Sequence, residues 1–123
     1  YNEKKNFNWL GYRVDIKELY AISSVAVFPS YYREGGWPRG VLEPMAMGKP
    51  VITTNTEHCS KAIVDGENGI LVAPKDHNQL SEAIERVIKD KKYAKNIGKN
   101  ARDTIKNDME EEMIMERLIK AII

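Results

Sequence analysis

The sequence is poor in cysteine, in long apolar runs and in excess charge of either sign. Its single cysteine, Cys59, excludes a disulfide framework and a cysteine-based zinc site, and favours a reducing compartment. No apolar run approaches the roughly 18 residues that a membrane-spanning helix needs. The 19 basic and 18 acidic residues give a net charge of +1, which excludes the basic surface typical of nucleic-acid binding. We therefore expect a globular protein with no nucleic-acid partner.

The first residues contain neither an initiator methionine nor the apolar core of a signal peptide. The 123 residues have the length of one domain. We expect the chain to be a piece of a longer protein.

Short apolar runs alternate with amphipathic stretches, which predicts an α/β fold with a parallel sheet. The runs that predict strands are Phe7–Leu10, Val25–Phe28, Val51–Thr54 and Ile70–Val72. Asp15, Asp76 and Asp108 are each followed three residues later by Glu or Gln, a pattern that starts helices. Apolar residues at every fourth position predict a further helix over residues 91–105. We expect residues 1–107 to form a partial domain and residues 108–123 a C-terminal helix.

The segment from Phe28 to Val51 is the part most indicative of chemistry. A buried strand leads into a loop with Gly35 and Gly36, and a helix follows that ends at Gly48. Such a loop before a helix N-terminus offers backbone N–H groups to a phosphate. Glu34 and Glu43 flank the loop, and a carboxylate accepts hydrogen bonds from neighbouring hydroxyls of a sugar or ribose. The pattern is compatible with a nucleotide-sugar site, but equally with an ordinary surface loop of an α/β protein.

The same segment, FPSYYREGGWPRGVLEPMAMGKPV, together with VDGENGILVAPKD at residues 64–76, resembles the glycosyl transferases group 1 family. The resemblance is to the C-terminal, donor-binding domain of retaining glycosyltransferases of the GT-B fold, and it covers most of the chain. It implies part of a doubly wound, Rossmann-like parallel sheet that lacks its first strands.

The resemblance also implies roles for individual residues. Glu34 matches the first glutamate of the family's paired motif, which contacts the donor sugar, and is the candidate catalytic residue. Glu43 matches the second glutamate, which binds the ribose hydroxyls of the nucleotide. The remaining candidate donor-binding residues are Gly35, Gly36 and Trp37 in the loop, Arg39 before the second glutamate, and Tyr12 and Arg13 in the turn that meets the base.

Two departures from the family pattern lie near these residues. Eight residues instead of seven separate the glutamates, and Pro44 replaces the usual alanine. Proline is tolerated only in the first turn of a helix, so we expect the helix to begin near Gly40 with Pro44 inside that turn. The second departure, at residues 56–61, resembles the branch that builds surface polysaccharides and lipid-linked oligosaccharides, often from UDP-linked N-acetylhexosamines. We expect Cys59 to have a packing role at a helix N-terminus rather than to act as a catalytic nucleophile.

The family's domain has six strands, and the four predicted here resemble the third to sixth. The missing two would lie between Phe7–Leu10 and Val25–Phe28. The family's diphosphate-binding Arg and Lys and its N-terminal acceptor domain have no counterpart in this sequence. The chain alone should therefore be inactive, and its unpaired sheet edges could allow self-association.

The resemblance implies transfer of a sugar, with retention, from a UDP- or GDP-linked donor to a sugar or lipid-linked acceptor. It implies no cofactor and no metal, and the sequence has no Asp-x-Asp pair. We expect a cytoplasmic location with possible peripheral membrane association. The alternatives are a non-catalytic nucleotide-sugar-binding subunit, a GT-B epimerase, for which a proton-abstracting set is not evident, and a receiver-type domain, for which the acidic pair is missing.

Overall fold

The computed structural model describes residues 7–30 and 38–109. Their strands are β1 (Ala26–Phe28), β2 (Val51–Thr54) and β3 (Ile70–Val72). Their helices are α1 (Ile16–Ile22), α2 (Arg39–Ala46), α3 (His77–Lys89) and α4 (Lys91–Thr104), and α4 continues into a π-helical turn (Ile105–Met109). In this part of the chain no helix is long and apolar enough to cross a bilayer.

The three strands form one parallel sheet in the order β1-β2-β3. Val27 lies opposite Ile52, and Ile52 lies opposite Ile70. The central strand β2 is buried along its whole length, as expected of an apolar strand covered on both faces. The three predicted strands at 25–28, 51–54 and 70–72 are thus confirmed, and α2 makes the crossover from β1 to β2.

Helices cover both faces of the sheet because successive β2 residues point in opposite directions. Val51 packs in a first core cluster with Val41, Leu42 and Met45 of α2. Ile52 packs in a second cluster that contains Val87 of α3 and Ile97 of α4. This doubly covered parallel sheet is the fold class that the sequence predicts.

The strand predicted at Phe7–Leu10 is wrong. These residues have no regular secondary structure and are exposed, with the Trp9 side chain 81% accessible. A strand is stable only when its backbone groups pair with a neighbour, and none of the described strands pairs with this segment. Among the described strands β1 has β2 as its single partner, so the placement of two missing strands beside β1 stays a prediction.

The start of α2 lies within one residue of the predicted Gly40, but the prediction that Pro44 lies in the first turn is wrong. The helix begins at Arg39, and Pro44 lies in its second turn. The Pro38 carbonyl accepts hydrogen bonds from the N–H groups of Val41 and Leu42, both at 3.0 Å, which fixes the earlier start. Gly40 is needed for close packing, because a Cβ there would lie 2.5 Å from the Phe28 ring. The helix therefore accommodates Pro44 without the N–H donor that an ordinary residue would supply.

The end of α2 follows the sequence prediction. Gly48 has a φ of +74°, the left-handed conformation that favours glycine after a helix. Its N–H donates to the Met45 carbonyl, and the Lys49 N–H donates to the Pro44 carbonyl, both at 3.0 Å. These two bonds satisfy carbonyls that the end of the helix leaves without partners. The start of β2 is thereby fixed two residues later.

Two of the three predicted helix starts, at Asp15 and Asp76, are confirmed, although only Asp76 caps its helix with its side chain. The Asp76 carboxylate accepts a hydrogen bond from the Gln79 N–H at 2.9 Å and caps α3. Asp15 precedes α1 but makes no side-chain cap, because its carboxylate pairs with Arg13 instead. The side chain of Asp108 and the helix predicted beyond residue 109 lie outside the described part. The division of the chain at 107/108 stays a prediction.

Candidate functional site

The carboxyl ends of the three parallel strands lie at one edge of the sheet, where α/β proteins bind ligands. Pro29, Thr54 and Val72 line a crevice of about 400 Å³ at this edge, together with residues of the loop from β3 to α3. Because α2 crosses from β1 to β2, its N-terminus begins at the same edge. Glu43, the one carboxylate of α2, lies beyond the first turn of this helix.

Arg39 and Glu43 form an ion pair on α2, with 3.2 Å between Arg39 Nε and Glu43 Oε1. They are four residues apart, the spacing at which helical side chains meet. The Glu43 side chain is only 26% exposed, whereas that of Arg39 is 76% exposed. Glu43 is thus the anchored member of the pair, while Arg39 extends into solvent.

Tyr20 of α1 is close enough to Glu43 to sense its charge. It is partly buried against the first core cluster, which contains Leu42 and Met45 of α2. Partial burial, and then the negative charge of Glu43, raise the pKa of the Tyr20 phenol above its ordinary value. The carboxylate of Glu43 therefore has a guanidinium as its ion-pair partner and, in its electrostatic surroundings, a phenol that remains neutral over the physiological range.

Two buried threonines connect the ends of β1 and β2. The Thr53 hydroxyl donates to the Phe28 carbonyl at 2.7 Å, and the Thr54 hydroxyl donates to the Ser30 carbonyl. The Cys59 thiol lies 3.8 Å from the same Ser30 oxygen and is fully buried, which confirms a packing role, but Cys59 lies in turns and not at the predicted helix N-terminus. Ser30 is the last described residue before the segment that carries Glu34.

Tyr12 and Arg13 lie in the segment that precedes α1. The Tyr12 side chain is 92% exposed. The Arg13 guanidinium donates to both Asp15 oxygens, at 2.7 and 2.5 Å. The hydrogen bond from Arg13 holds the pKa of Asp15 below its usual value. Arg13 is thus occupied by an intramolecular carboxylate, which fixes its orientation next to the exposed Tyr12.

No group of three or more His, Cys, Asp or Glu side chains within 7–30 and 38–109 is arranged to hold a metal ion. His77 is the first residue of α3, and His58 is buried in the turns after β2. The site as described therefore consists of the crevice, the α2 carboxylate and the side chains that surround it.

The family model of the glycosyl transferases group 1 matches residues 1–104. This chain belongs to that family. The match contains Phe28–Val51 and residues 64–76, the two segments that carry the resemblance in the sequence.

Curated relatives from the group 1 glycosyltransferases share about a third of their aligned residues with the chain. It is 36% identical over 114 residues to the N,N'-diacetylbacillosaminyl-diphospho-undecaprenol α-1,3-N-acetylgalactosaminyltransferase of Campylobacter jejuni. It is 35% identical over 100 residues to the capsular polysaccharide biosynthesis glycosyltransferase CapM of Staphylococcus aureus. The matches cover 92% and 81% of this chain but only 29% and 26% of the relatives. The chain thus spans less than a third of their length.

Solved structures also match most of this chain to part of a larger protein. The structure of Anabaena HepE in complex with UDP and glucose superimposes with a TM-score of 0.80 at 26% identity. The match covers 95% of this chain and 33% of HepE. It confirms that the parallel sheet and its helices are part of a Rossmann-like half of a GT-B glycosyltransferase.

Within this group 1 fold, the structure brings together one predicted pair of site residues, Arg39 and Glu43. Tyr12 and Arg13 lie in the segment before α1, and the roles assigned to all four stay predictions. The remaining candidates lie outside the described residues: Glu34, Gly35, Gly36 and Trp37.

The sequence does not indicate the electrostatic interaction of Tyr20 with Glu43 or the hydrogen bond of Thr54. The sequence predicts Thr54 only as the end of a strand. A usable signal for Thr54 was the presence of two hydroxyl residues at the end of a strand that is otherwise buried, since a buried hydroxyl needs a hydrogen-bond partner.

Proposed function

We propose that this chain is the donor-binding part of a retaining glycosyltransferase. The enzyme would transfer a sugar from a nucleotide diphosphate donor to a sugar or lipid-linked acceptor in the synthesis of surface polysaccharide or another glycan. The Campylobacter relative, which acts on a diphospho-undecaprenol-linked sugar, supports the lipid-linked acceptor, and the Staphylococcus relative supports polysaccharide synthesis. The UDP and glucose in the HepE complex support a nucleotide-sugar donor.

The observation that carries the proposal is the placement of Glu43. Its carboxylate is anchored by Arg39 on a helix that begins at the carboxyl edge of the sheet, the edge where the crevice lies. A carboxylate can accept hydrogen bonds from both ribose hydroxyls of a nucleotide. A hydrogen bond to a charged acceptor contributes about 1.5–3 kcal/mol, enough to orient a donor.

The proposed chemistry divides the remaining roles among the family's motif residues. Glu34 contacts the donor sugar as the catalytic residue, and the backbone of Gly35, Gly36 and Trp37 approaches the sugar and phosphates. The N-terminus of α2 stabilises negative charge on the departing diphosphate. Tyr12 and Arg13 meet the base.

The remainder of the enzyme is supplied from outside this chain. We propose that an N-terminal domain binds the acceptor, that cationic residues outside the chain bind the diphosphate, and that no metal cofactor is needed. The 123-residue chain alone is then inactive. We place the enzyme in the cytoplasm or at the cytoplasmic membrane surface, where lipid-linked acceptors are accessible.

A donor panel on the full-length protein tests this proposal. UDP- and GDP-linked hexoses and N-acetylhexosamines are offered with free-sugar and lipid-linked acceptors, and NMR assigns the anomeric configuration of the product. We expect turnover with at least one donor, retention of configuration, and no turnover by the isolated 123-residue chain. Inversion would contradict the retaining mechanism. Donor binding without turnover would identify a non-catalytic binding subunit instead.

A further inference from the structure

Helix α4 carries its apolar and its basic residues on different faces. Its apolar side chains, among them Ile97 and Ala101, pack in the two core clusters. Its basic side chains are all exposed, and at about 100° per residue their positions fall within an arc of about 100°. The basic stripe, as we call this face, extends over about 17 Å of the helix. Its members are Lys91, Lys92, Lys95, Lys99 and Arg102.

The charge of the basic stripe is not balanced by acidic partners. The single acidic residue of α4, Asp103, lies beside the stripe. Among the described residues, none of the five cations forms an ion pair or donates a side-chain hydrogen bond. On α3, by contrast, Lys89 pairs with Glu85. The guanidinium carbon of Arg86, the other α3 cation, lies 3.8 Å from the centre of the Tyr93 ring.

Contacts on both sides of the basic stripe fix the rotation of α4 about its axis. On one side Gly98 packs so closely against the chain after α2 that a Cβ would lie 2.2 Å from the Gly48 carbonyl oxygen. On the other side the Asn100 side-chain amide donates to the Glu67 carbonyl at 2.9 Å. The exposed face between these two contacts is the one that carries the cations. The five charges are therefore held together on one surface.

We propose that the basic stripe is the surface by which the protein binds the anionic headgroups of a phospholipid membrane. The proposal rests on the proposed function, in which a lipid-linked acceptor requires an enzyme at a membrane. Charge complementarity supports it, because each Lys or Arg near an anionic membrane surface raises affinity by about fivefold.

The local concentration of charge favours a membrane over nucleic acid. Electrostatic attraction decays within a Debye length of about 8 Å at physiological ionic strength, so a local stripe suffices for a membrane. Nucleic-acid binding requires a more extensive basic surface, and the net charge of the chain is only +1. Because the apolar side chains of α4 face the core, the membrane contact should be electrostatic and sensitive to salt.

Flotation of the full-length protein with vesicles tests this surface. One set of vesicles contains phosphatidylcholine alone, and the other contains phosphatidylglycerol as well. We expect binding to the anionic vesicles only, and its loss at high salt. Lys95→Gln combined with Lys99→Gln removes two cations from the middle of the basic stripe and should lower the partition coefficient by about 10- to 30-fold.

The matched control combines Lys17→Gln on α1 with Lys61→Gln in the turns after β2. Both lysines are exposed, and their loss changes the net charge by the same amount. This double variant should bind anionic vesicles within about twofold of wild type, because its charges lie outside the stripe. Thermal unfolding of both double variants confirms that they are folded.

Failure of the wild type to bind anionic vesicles would overturn the proposal, as would equal losses in the two double variants. Binding of a short DNA duplex in place of the anionic vesicles would assign the basic stripe to nucleic acid and also overturn it. A protein that binds vesicles through the stripe but transfers no sugar refutes the proposed function alone. An active enzyme that does not bind anionic vesicles refutes the role of the stripe alone.

Discussion

At the scale of single residues, the side chains around Glu43 determine how well its carboxylate can bind a ligand. The pair with Arg39 is exposed on the arginine side, and exposed ion pairs contribute little to stability. The ion pair instead orients the Glu43 side chain, because it restricts the rotamers of a carboxylate that is mostly buried. Tyr20 of α1 interacts with the same carboxylate but adds no charge, because its phenol stays neutral.

The contact between Tyr20 and Glu43 predicts a shift in a tyrosine titration. Partial burial and the Glu43 charge raise the Tyr20 pKa, so Glu43→Gln should lower it. Glu85→Gln, which neutralises an exposed α3 carboxylate paired with Lys89, should leave it unchanged. NMR of tyrosines labelled at Cζ follows the titration, and Tyr20→Phe assigns the resonance. An unchanged Tyr20 pKa in Glu43→Gln would show that the two groups are not neighbours.

The same shift has a consequence for stability at high pH. An unfolded tyrosine titrates near about pH 10. Because the folded protein holds the Tyr20 proton more tightly, the unfolded chain releases its proton first, and stability falls as pH rises through about 10. Below that pH the group contributes no pH dependence. Replacing Glu43 by Gln should reduce this alkaline loss of stability.

Residue types in sequence predicted some of these relations and not others. Arg39 and Glu43 are four apart on a predicted helix, so their contact followed from helical spacing alone. Tyr20 and Glu43 lie on different helices, and the two residues are 23 positions apart in the sequence. Only the packing of Tyr20 against the first core cluster, which contains residues of α2, brings them near each other, and spacing within one element carries no information about that packing.

At the scale of secondary-structure elements, similar helix-start patterns led to different outcomes. Asp15 and Asp76 have the same spacing to a following acidic or amide residue. Asp76 caps its helix, whereas an arginine two residues away takes the carboxylate of Asp15. A charge-assisted, two-fold hydrogen bond to a guanidinium is stronger than a bond to one backbone amide. A nearby arginine should therefore lower confidence in a predicted aspartate cap.

This difference predicts unequal effects of two aspartate substitutions. Asp76→Ala removes a helix cap and should lower the free energy of unfolding by about 1 kcal/mol. In a domain of about 150–250 residues, this change lowers Tm by about 2–4 °C. Asp15→Ala removes an exposed ion pair and should lower Tm much less. Thermal unfolding of the full-length variants, followed by circular dichroism, measures both. Equal drops in Tm would show that Asp15 also stabilises its helix start.

The course of α2 shows where local rules are insufficient. Proline chemistry alone favoured a later helix start, yet the helix begins at Arg39 and includes Pro44 in its second turn. Pro44 is buried in the interior, so tertiary packing compensates for the missing hydrogen bond. The end of the helix at Gly48 was predictable, because a glycine in the left-handed conformation lets nearby N–H groups bond to the last carbonyls of the helix.

At the scale of the whole molecule, close contact between elements limits the size of the residue at some positions, and the sequence shows this only indirectly. A Cβ at Gly98 of α4 would lie 2.2 Å from the Gly48 carbonyl oxygen after α2. A glycine inside a helical pattern indicates such an approach without naming its partner. Likewise, alternating elements predicted a doubly covered parallel sheet, but the strand at Phe7–Leu10 failed because strand formation depends on a neighbour elsewhere in the chain.

The central claim about the molecule is that Glu43 holds the nucleotide of a sugar donor. Isothermal titration calorimetry of UDP and GDP with the full-length protein tests it, because a nucleotide without sugar probes the ribose contact separately from Glu34. Glu43→Ala should weaken binding of the preferred nucleotide by roughly 10- to 150-fold, the equivalent of about 1.5–3 kcal/mol.

The matched control is Glu85→Ala, which removes the acidic member of an exposed pair with the same four-residue spacing on α3. It should leave nucleotide affinity within about twofold of wild type. Unchanged affinity in Glu43→Ala, or equal losses in the two variants, would contradict the assignment of this carboxylate to the nucleotide.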